Sequence, residues 1–435
     1  MINKSDTEII PVVIPVSAHL DVPTLFGTAR SLGRNGVPVH VIARGSYPIA
    51  RTSRYIKSLT TFPNDPPDET WQDALTNLLC SSRFKIHKAE HGSATTWSVC
   101  SGAKPIAHTG YGIKIDTTQT KPILFFCTEN DLYRFAPMQN FLEQHFQLIP
   151  TFDATFKFLE KDRQLPLAEQ SGFLVPKSIK LEKKTDLELV IDTLRFPIIV
   201  KPLARHTIGI FDSKGLIVQS RDEVIGLVAK YLDNPPTVLI AQEYVAGTDN
   251  DVLFFMGSSD NEGNVRAFVT GRKLRQNPPL SGMMACGYIE PLPDLESKAK
   301  ALCKLYKING FIGIECKRPP NTNDYFYIET SFRPDIFHEL ASGAGVNLVY
   351  DTYAAKLGQS CKTKQTADKG SWYDLFADYD SVQSQVKQKK STWNCMLKRL
   401  PRPITYSHFA FDDPIPFFAR LIEKIKSKIK RTLGK

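Results

Sequence analysis

The chain has 435 residues, 42% of them apolar and 23% charged, more than one ordinary core organises, so two or three globular domains are expected. No apolar run approaches the ~18 residues that a membrane-spanning helix needs. The net charge of +10 suggests nucleic acid until it is located: sixteen Lys and Arg against seven Asp and Glu fall in residues 361–435, which leaves no broad basic band elsewhere for a phosphate backbone.

In chain order, MINKSDTEII puts acids ahead of the first apolar run and offers no small-residue cleavage site, so no signal peptide is expected. The eight cysteines contain no C-x-x-C pair and no histidine at ligand spacing, the usage of reduced cytoplasmic thiols. IIPVVIPV (9–16) reads as a buried strand, 24–32 as a helix stopped by Gly33 and Gly36, and VPVHVIAR (37–44) as a second strand. Together they make a parallel unit with a right-handed crossover. The intervening turn, SAHLDVP, has no G-x-G-x-x-G, which argues against the usual dinucleotide site. Residues 73–80 continue as a helix and KPILFFC (121–127) as a strand, while 81–120 is polar and aperiodic, an excursion that reads as a lid or contact surface.

A second unit begins near residue 150. Residues 155–172 give a helix with a glycine stop. RFPIIVKP (195–202), GLIVQS (215–220) and TVLIAQEYVAG (237–247) are strands, with a helix over 222–232. Lys201 ends an apolar strand, where its ammonium either meets a phosphate or snorkels to water.

The third unit opens with DVLFFMGSS and NVRAFVTGRKLRQNPPLSG. By the period of two, Lys273 and Arg275 share one strand face and Arg272 takes the other, and NPPLSG looks like a loop closing over something. After a helix over 297–307 come FIGIEC and YFYIET, a hairpin candidate around PPNTND carrying Glu315 and Glu329. Two converging carboxylates suit Mg²⁺, which takes one or two carboxylates plus phosphate oxygens; the alternative is two edge strands whose acids face water. Cys316, beside Glu315, reads as buried filler. Residues 334–357 are helical, broken at Gly343 and Gly345.

Over roughly residues 9–360 these segments resemble, in order, the ATP-grasp superfamily, and within it carboxylate-amine ligases such as D-aspartate ligase and the ATP-grasp proteins of surface-polysaccharide gene sets. The resemblance implies an α/β (α+β ATP-grasp) fold: a Rossmann-like N-terminal domain over 1–150, a helical connection and lid subdomain over 151–248, a larger mixed-sheet catalytic core over 249–360, and a C-terminal extension over 361–435. It implies ATP and Mg²⁺ as cofactors. LEKDRQLPLAEQSGFLVPKS and FPIIVKP then carry two nucleotide-binding lysines, Lys161 and Lys201. AQEYVAGTDND is similar to the hinge strand that holds adenine, with Gln242 and the backbone of Glu243 and Val245 there and Asp249 near the ribose. Lys273, Arg275 and Arg333 become the catalytic cations, with Lys317 a lesser candidate. Glu315, Glu329 and Ser331 become the metal set. Where the family usually reads E-x-N-x-R, Ser331 replaces the amide, a weaker magnesium ligand. ARHTIG after Lys201 also departs from a glycine-rich phosphate loop; His206 there is either a phosphate contact or an exposed loop residue.

The chemistry implied is an amide ligation. Lysines and Mg²⁺ gather around ATP, a substrate carboxylate attacks the γ-phosphorus to give an acylphosphate, and an amine displaces phosphate. Arg275 and Arg333 would grip the carboxylate and the developing oxyanion, under a lid spanning about 185–247. The expected partners are ATP, a carboxylate (a uronic acid or an amino acid) and an amine such as an amino acid, with no nucleic acid. Three outcomes stand: a ligase acting on a cell-envelope precursor of capsule, exopolysaccharide or peptidoglycan, a small amino-acid or dipeptide ligase, and a non-catalytic ATP-binding protein. PFFARLIEKIKSKIKRTLGK closes the chain as a basic amphipathic helix, with Phe418, Ile422, Ile425, Ile429 and Leu433 on one stripe. It lies on the inner membrane surface of a cytoplasmic protein, covers a partner, or packs on its own domain.

Overall fold

The computed structural model describes residues 9–17, 22–44, 49–62, 67–79, 121–203, 215–232, 238–359, 364–397 and 400–432. The excursion at 81–120, His206 and Leu433 lie outside these residues. The chain divides into two compact units: Met1–Phe152 with Lys356–Gln359 and His408–Lys435, and Asp153–Ala355 with Ser360–Ser407.

The first unit is built on a parallel sheet of β1 (Val12–Val16), β2 (Val39–Arg44), β3 (Ile56–Phe62), β4 (Ile123–Phe125) and β5 (Gln147–Ile149), in the order β3-β2-β1-β4-β5. The central strand VVIPV is buried along its whole length, as a strand covered on both faces must be. The crossover helix Val22–Gly33 buries Leu25, Phe26, Ala29 and Leu32, one face at helical spacing. The next helix starts earlier than its periodicity suggests, at Asp68, because Asp68 and Glu69 favour a first turn. It buries Trp71, whose ring meets Phe62 and Phe135 edge-on. The edge strand β3 was not anticipated, since IKSLTTF is only half-buried and mostly polar.

The second unit holds two sheets. The smaller comprises β6 (Ser178–Leu181), β7 (Ile198–Pro202), β8 (Leu216–Val218) and β9 (Leu239–Glu243), in the order β6-β9-β7-β8 and antiparallel throughout. Its core joins Ile198, Val200 and Leu239 to Leu187, Val190 and Val224, which come from the helices Asp186–Thr193 and Arg221–Leu232. The larger comprises β10 (Val252–Ser259), β11 (Val265–Asn277), β12 (Met283–Ile289), β13 (Gly310–Lys317), β14 (Phe326–Ser331), β15 (Ser371–Tyr373) and β16 (Ile404–Tyr406), in the order β14-β13-β10-β11-β12-β15-β16. Only the last pair is parallel. The α/β class expected from the sequence is what is observed.

Within residues 361–435, β15 and β16 extend the larger sheet, and His408–Lys435 belongs to the first unit. Among the described residues no helix is long and apolar enough to cross a membrane.

Candidate active site

The hairpin forms as its pattern suggests. β13 and β14 pair antiparallel with Glu315 directly across from Glu329, and Gly313 across from Ser331. Residues two apart on a strand share a face, so both carboxylates and the Ser331 hydroxyl point the same way. Glu315 and Glu329 line a solvent-open pocket of roughly 940 Å³. Thr330, between Glu329 and Ser331 in sequence, turns to the opposite face. There Gln164 accepts its N–H at 2.9 Å and donates to its carbonyl at 3.0 Å, and the Tyr327 hydroxyl donates to its Oγ1 at 2.7 Å. Gln164 sits in the helix Lys161–Gln170, so the bonds that hold β14 also hold the helix that starts at Lys161.

Two lysines enter the same pocket, Lys161 from the head of its helix and Lys201 from the smaller sheet. Lys161 donates through Nζ to the carbonyls of Pro202 and Leu203 at 3.2 and 3.4 Å. Lys201, on β7, is buried, and burial, with Lys161 beside it, pushes its ammonium down to about 8 while Glu329 and Glu315 act to keep it charged. Two cations and two anions are thus within electrostatic reach of one another. From β11, Lys273 reaches Glu315 with Nζ 2.6 Å from Oε2.

The segment linking the two sheets lines the pocket with Gln242, Glu243, Tyr244 and Val245. Gln242 donates to Ser178 Oγ at 2.8 Å, and the Glu243 side chain turns to the Arg195 guanidinium, so what Glu243 offers the pocket is chiefly backbone. Lys317, the lesser candidate, is brought fully into the pocket: Nζ donates to Gly247 O at 3.0 Å and Tyr244 Oη at 3.2 Å, and lies 4.6 Å from the Tyr244 ring centre. Burial pushes it, too, down to about 8, against the opposing pull of Asp251 and Asp249.

Three expected residues take other positions. Asp249 does not line the pocket; its carboxylate accepts the N–H groups of Gln276 (2.9 Å) and Leu280 (2.6 Å) and so pins the NPPLSG loop. Arg275 is not in the pocket either. The register between β11 and β12 shifts on both sides of Arg275, and such an extra residue breaks the alternation that would have put Lys273 and Arg275 on one face. Its guanidinium instead forks onto Asp378 at 2.6 and 2.9 Å and donates to Cys395 O. Arg333 is buried beside the site, and its Nη1 donates to Asp335 Oδ1 at 3.0 Å, the same oxygen that takes the Ser331 hydroxyl.

Comparison with known proteins places the fold. No family model matches the chain, and no curated protein matches it in sequence at a significant level. Solved structures do match. N5-carboxyaminoimidazole synthetase from Staphylococcus aureus, complexed with ADP, superposes with a TM-score of 0.58 at 14% identity over 89% of each chain. L-amino acid ligase from Bacillus licheniformis gives 0.52 at 13% identity over 82% of this chain and 75% of that one. The biotin carboxylase domain of Hydrogenobacter thermophilus 2-oxoglutarate carboxylase, with MgADP, gives 0.57 at 13% over 82% and 72%. The chain has the ATP-grasp fold.

Three residues in or beside this pocket escaped the sequence reading. Tyr244 and Gln276 line the pocket with nothing in their local pattern to mark them. Asp335 was hidden in a stretch read only as helical. It comes close to β13 because Gly313 has no side chain; a Cβ there would overlap Asp335 Oδ2 and lie 2.8 Å from Ser331 Oγ.

Proposed function

We propose that this ATP-grasp chain is an ATP-dependent carboxylate-amine ligase that forms an amide through an acylphosphate. The observation that carries the reading is the meeting, in one pocket, of Lys161 from the head of its helix and Lys201 from the smaller sheet with Glu315 and Glu329 from the larger sheet. A nucleotide triphosphate needs cations along its phosphates, and the linker from Gln242 to Val245 supplies a partly apolar wall with backbone groups for a base.

The donor set fits Mg²⁺. Glu315 and Glu329 offer hard oxygens on one face, and among the described residues no group of three or more His, Cys, Asp or Glu is gathered into a cage; Mg²⁺ is held by one or two carboxylates and completes its shell with water and phosphate oxygens. When bound there, it would neutralise charge on the phosphates. Lys161 and Lys201 bind and orient the polyphosphate, and Lys273 holds Glu315 in place. The substrate carboxylate attacks the γ-phosphorus, and ADP leaves. The amine then attacks the acyl carbon, the C–O bond to phosphate breaks, and the nitrogen sheds its proton. Arg333, buried beside the pocket and paired with Asp335, keeps in this scheme the role of steadying the carboxylate; Arg275, committed to Asp378, has no part in it.

For the substrates we infer an amino acid as amine and an envelope precursor as carboxylate, either a uronic acid of a capsule or exopolysaccharide or a peptidoglycan peptide, with the protein held at the inner membrane surface. The basic amphipathic helix supports the location. The purified protein with Mg-ATP should release phosphate only when a carboxylate and an amine are both present. A second reading, nucleotide binding without turnover, is favoured by one observation: Ser331, standing where an amide would serve a metal, has its hydroxyl engaged with Asp335. ATP binding with no phosphate release across pools of both substrate classes would decide for it.

A further inference from the structure

The helix Ile415–Thr432 does not bury its apolar stripe. Phe418, Ile422, Ile425 and Ile429 remain 50–53% exposed, Ile415 is 59% exposed, and Phe411, in the turn just before the helix, is 90% exposed. At about 100° per residue, Lys426 and Lys430 border this stripe on one side and Lys424 and Lys428 on the other. Glu423 is the one acid in the helix, and it pairs with Arg420.

The exposure is built in rather than slack. The two residues after Phe411 are carboxylates locked to the first unit. Asp412 accepts both Arg34 Nε and Nη2 at 2.8 Å and the Tyr55 hydroxyl at 2.5 Å. Asp413 accepts Arg30 Nε at 3.1 Å, Ser53 Oγ at 2.8 Å and the Arg54 N–H at 3.0 Å, with Arg30 fully buried. This clamp fixes the start of the helix while Phe411 projects outward.

We propose that Phe411 and the Phe418–Ile429 stripe form a docking surface for an anionic lipid bilayer, the apolar side chains entering the headgroup boundary and the flanking lysines meeting lipid phosphates. Charge decides the occupant. A second copy of the helix would bring two lysine-bordered stripes together, like against like, whereas an anionic leaflet complements both borders at once. The surface rests on the membrane half of the function proposed above and not on its chemistry.

The test uses the full chain and vesicles of phosphatidylcholine alone or mixed with phosphatidylglycerol. Binding at least roughly tenfold tighter to the mixed vesicles, weakening with salt, is expected, since each lysine near an anionic surface is worth about fivefold. Ile422→Asp with Ile425→Asp should abolish it, and Lys426→Gln with Lys430→Gln should weaken it and flatten the salt dependence. These side chains are exposed, so thermal unfolding should be unchanged. Phosphate release measured without vesicles reports the chemistry separately: lipid binding lost on the aspartate substitutions upholds the docking surface whether or not turnover is found. Undiminished binding by the aspartate variant overturns the proposal. So does a chain that ignores lipid and forms a dimer which the same variant splits.

Discussion

The ammonium of Lys273 lies 2.6 Å from Oε2 of Glu315, with the lysine 1% exposed and the glutamate directly across the strand pair from Glu329. A buried lysine that holds one carboxylate of a facing pair keeps the two anions close without forcing them apart. Lys273→Met should therefore lower turnover by about 10²-fold or more, the usual effect of removing a preorganised charge partner. Glu315→Gln should abolish turnover while circular dichroism stays near that of the parent, with the unfolding midpoint lowered because the buried Lys273 loses its anion. Retained turnover in Glu315→Gln would remove the carboxylate from the mechanism.

Lys201 titrates near 8 because it is buried beside Lys161. A bound polyphosphate favours the ammonium and raises that value, so nucleotide affinity should be flat below pH 8. Above it, affinity should weaken by up to about tenfold per pH unit for this group. The folded value lies below the ordinary 10.5, so the stability associated with this lysine is present above 10.5 and is lost as pH falls through 8. Calorimetric titration of ADP at pH 7, 8 and 9 reads the binding effect directly; a dissociation constant that stays the same across the series would contradict it.

Arg275 and Asp378, 8% and 2% exposed, form a pair whose role is to hold the helix Leu375–Lys387 on β11. Breaking a buried pair from one side is expected to cost about 3–5 kcal/mol. Arg275→Met should lower the unfolding midpoint sharply, and at a temperature where it stays folded its kcat/KM should remain close to that of the parent. A large loss of kcat with an unchanged midpoint would return Arg275 to the chemistry.

That prediction marks where the sequence stopped being readable. The hairpin and the strand end at Lys201 were legible from short-range pattern, whereas Lys161 and the linker from Gln242 to Val245 entered only through the family resemblance. Arg275 was not. Its facing depends on irregular pairing with β12, and its partner Asp378 lies 103 residues away. β12 itself, MMACGYI, was missed because it has few β-branched residues and no alternation, although it is buried inside a sheet. The same limit hid Asp335, whose approach to the site depends on a missing side chain across the strand pair.

Gly313 supplies that space. Gly313→Ala would drive a methyl into Asp335, which Arg333 and Ser331 hold in place. Overpacking of this kind costs about 1–3 kcal/mol, and because Ser331 and Glu315 flank the position on the same face, turnover should fall as well. A variant with unchanged stability and activity would mean that Asp335 moves freely and that the cluster is not a fixed part of the site.

The central claim is that a substrate carboxylate becomes an acylphosphate before the amide forms. The direct measurement is to supply the carboxylate labelled with oxygen-18 on both oxygens, together with ATP and amine, and to weigh the phosphate released. Transfer through an acylphosphate requires one labelled oxygen in each phosphate formed. Phosphate carrying no label, released at the same rate as amide, would contradict the account.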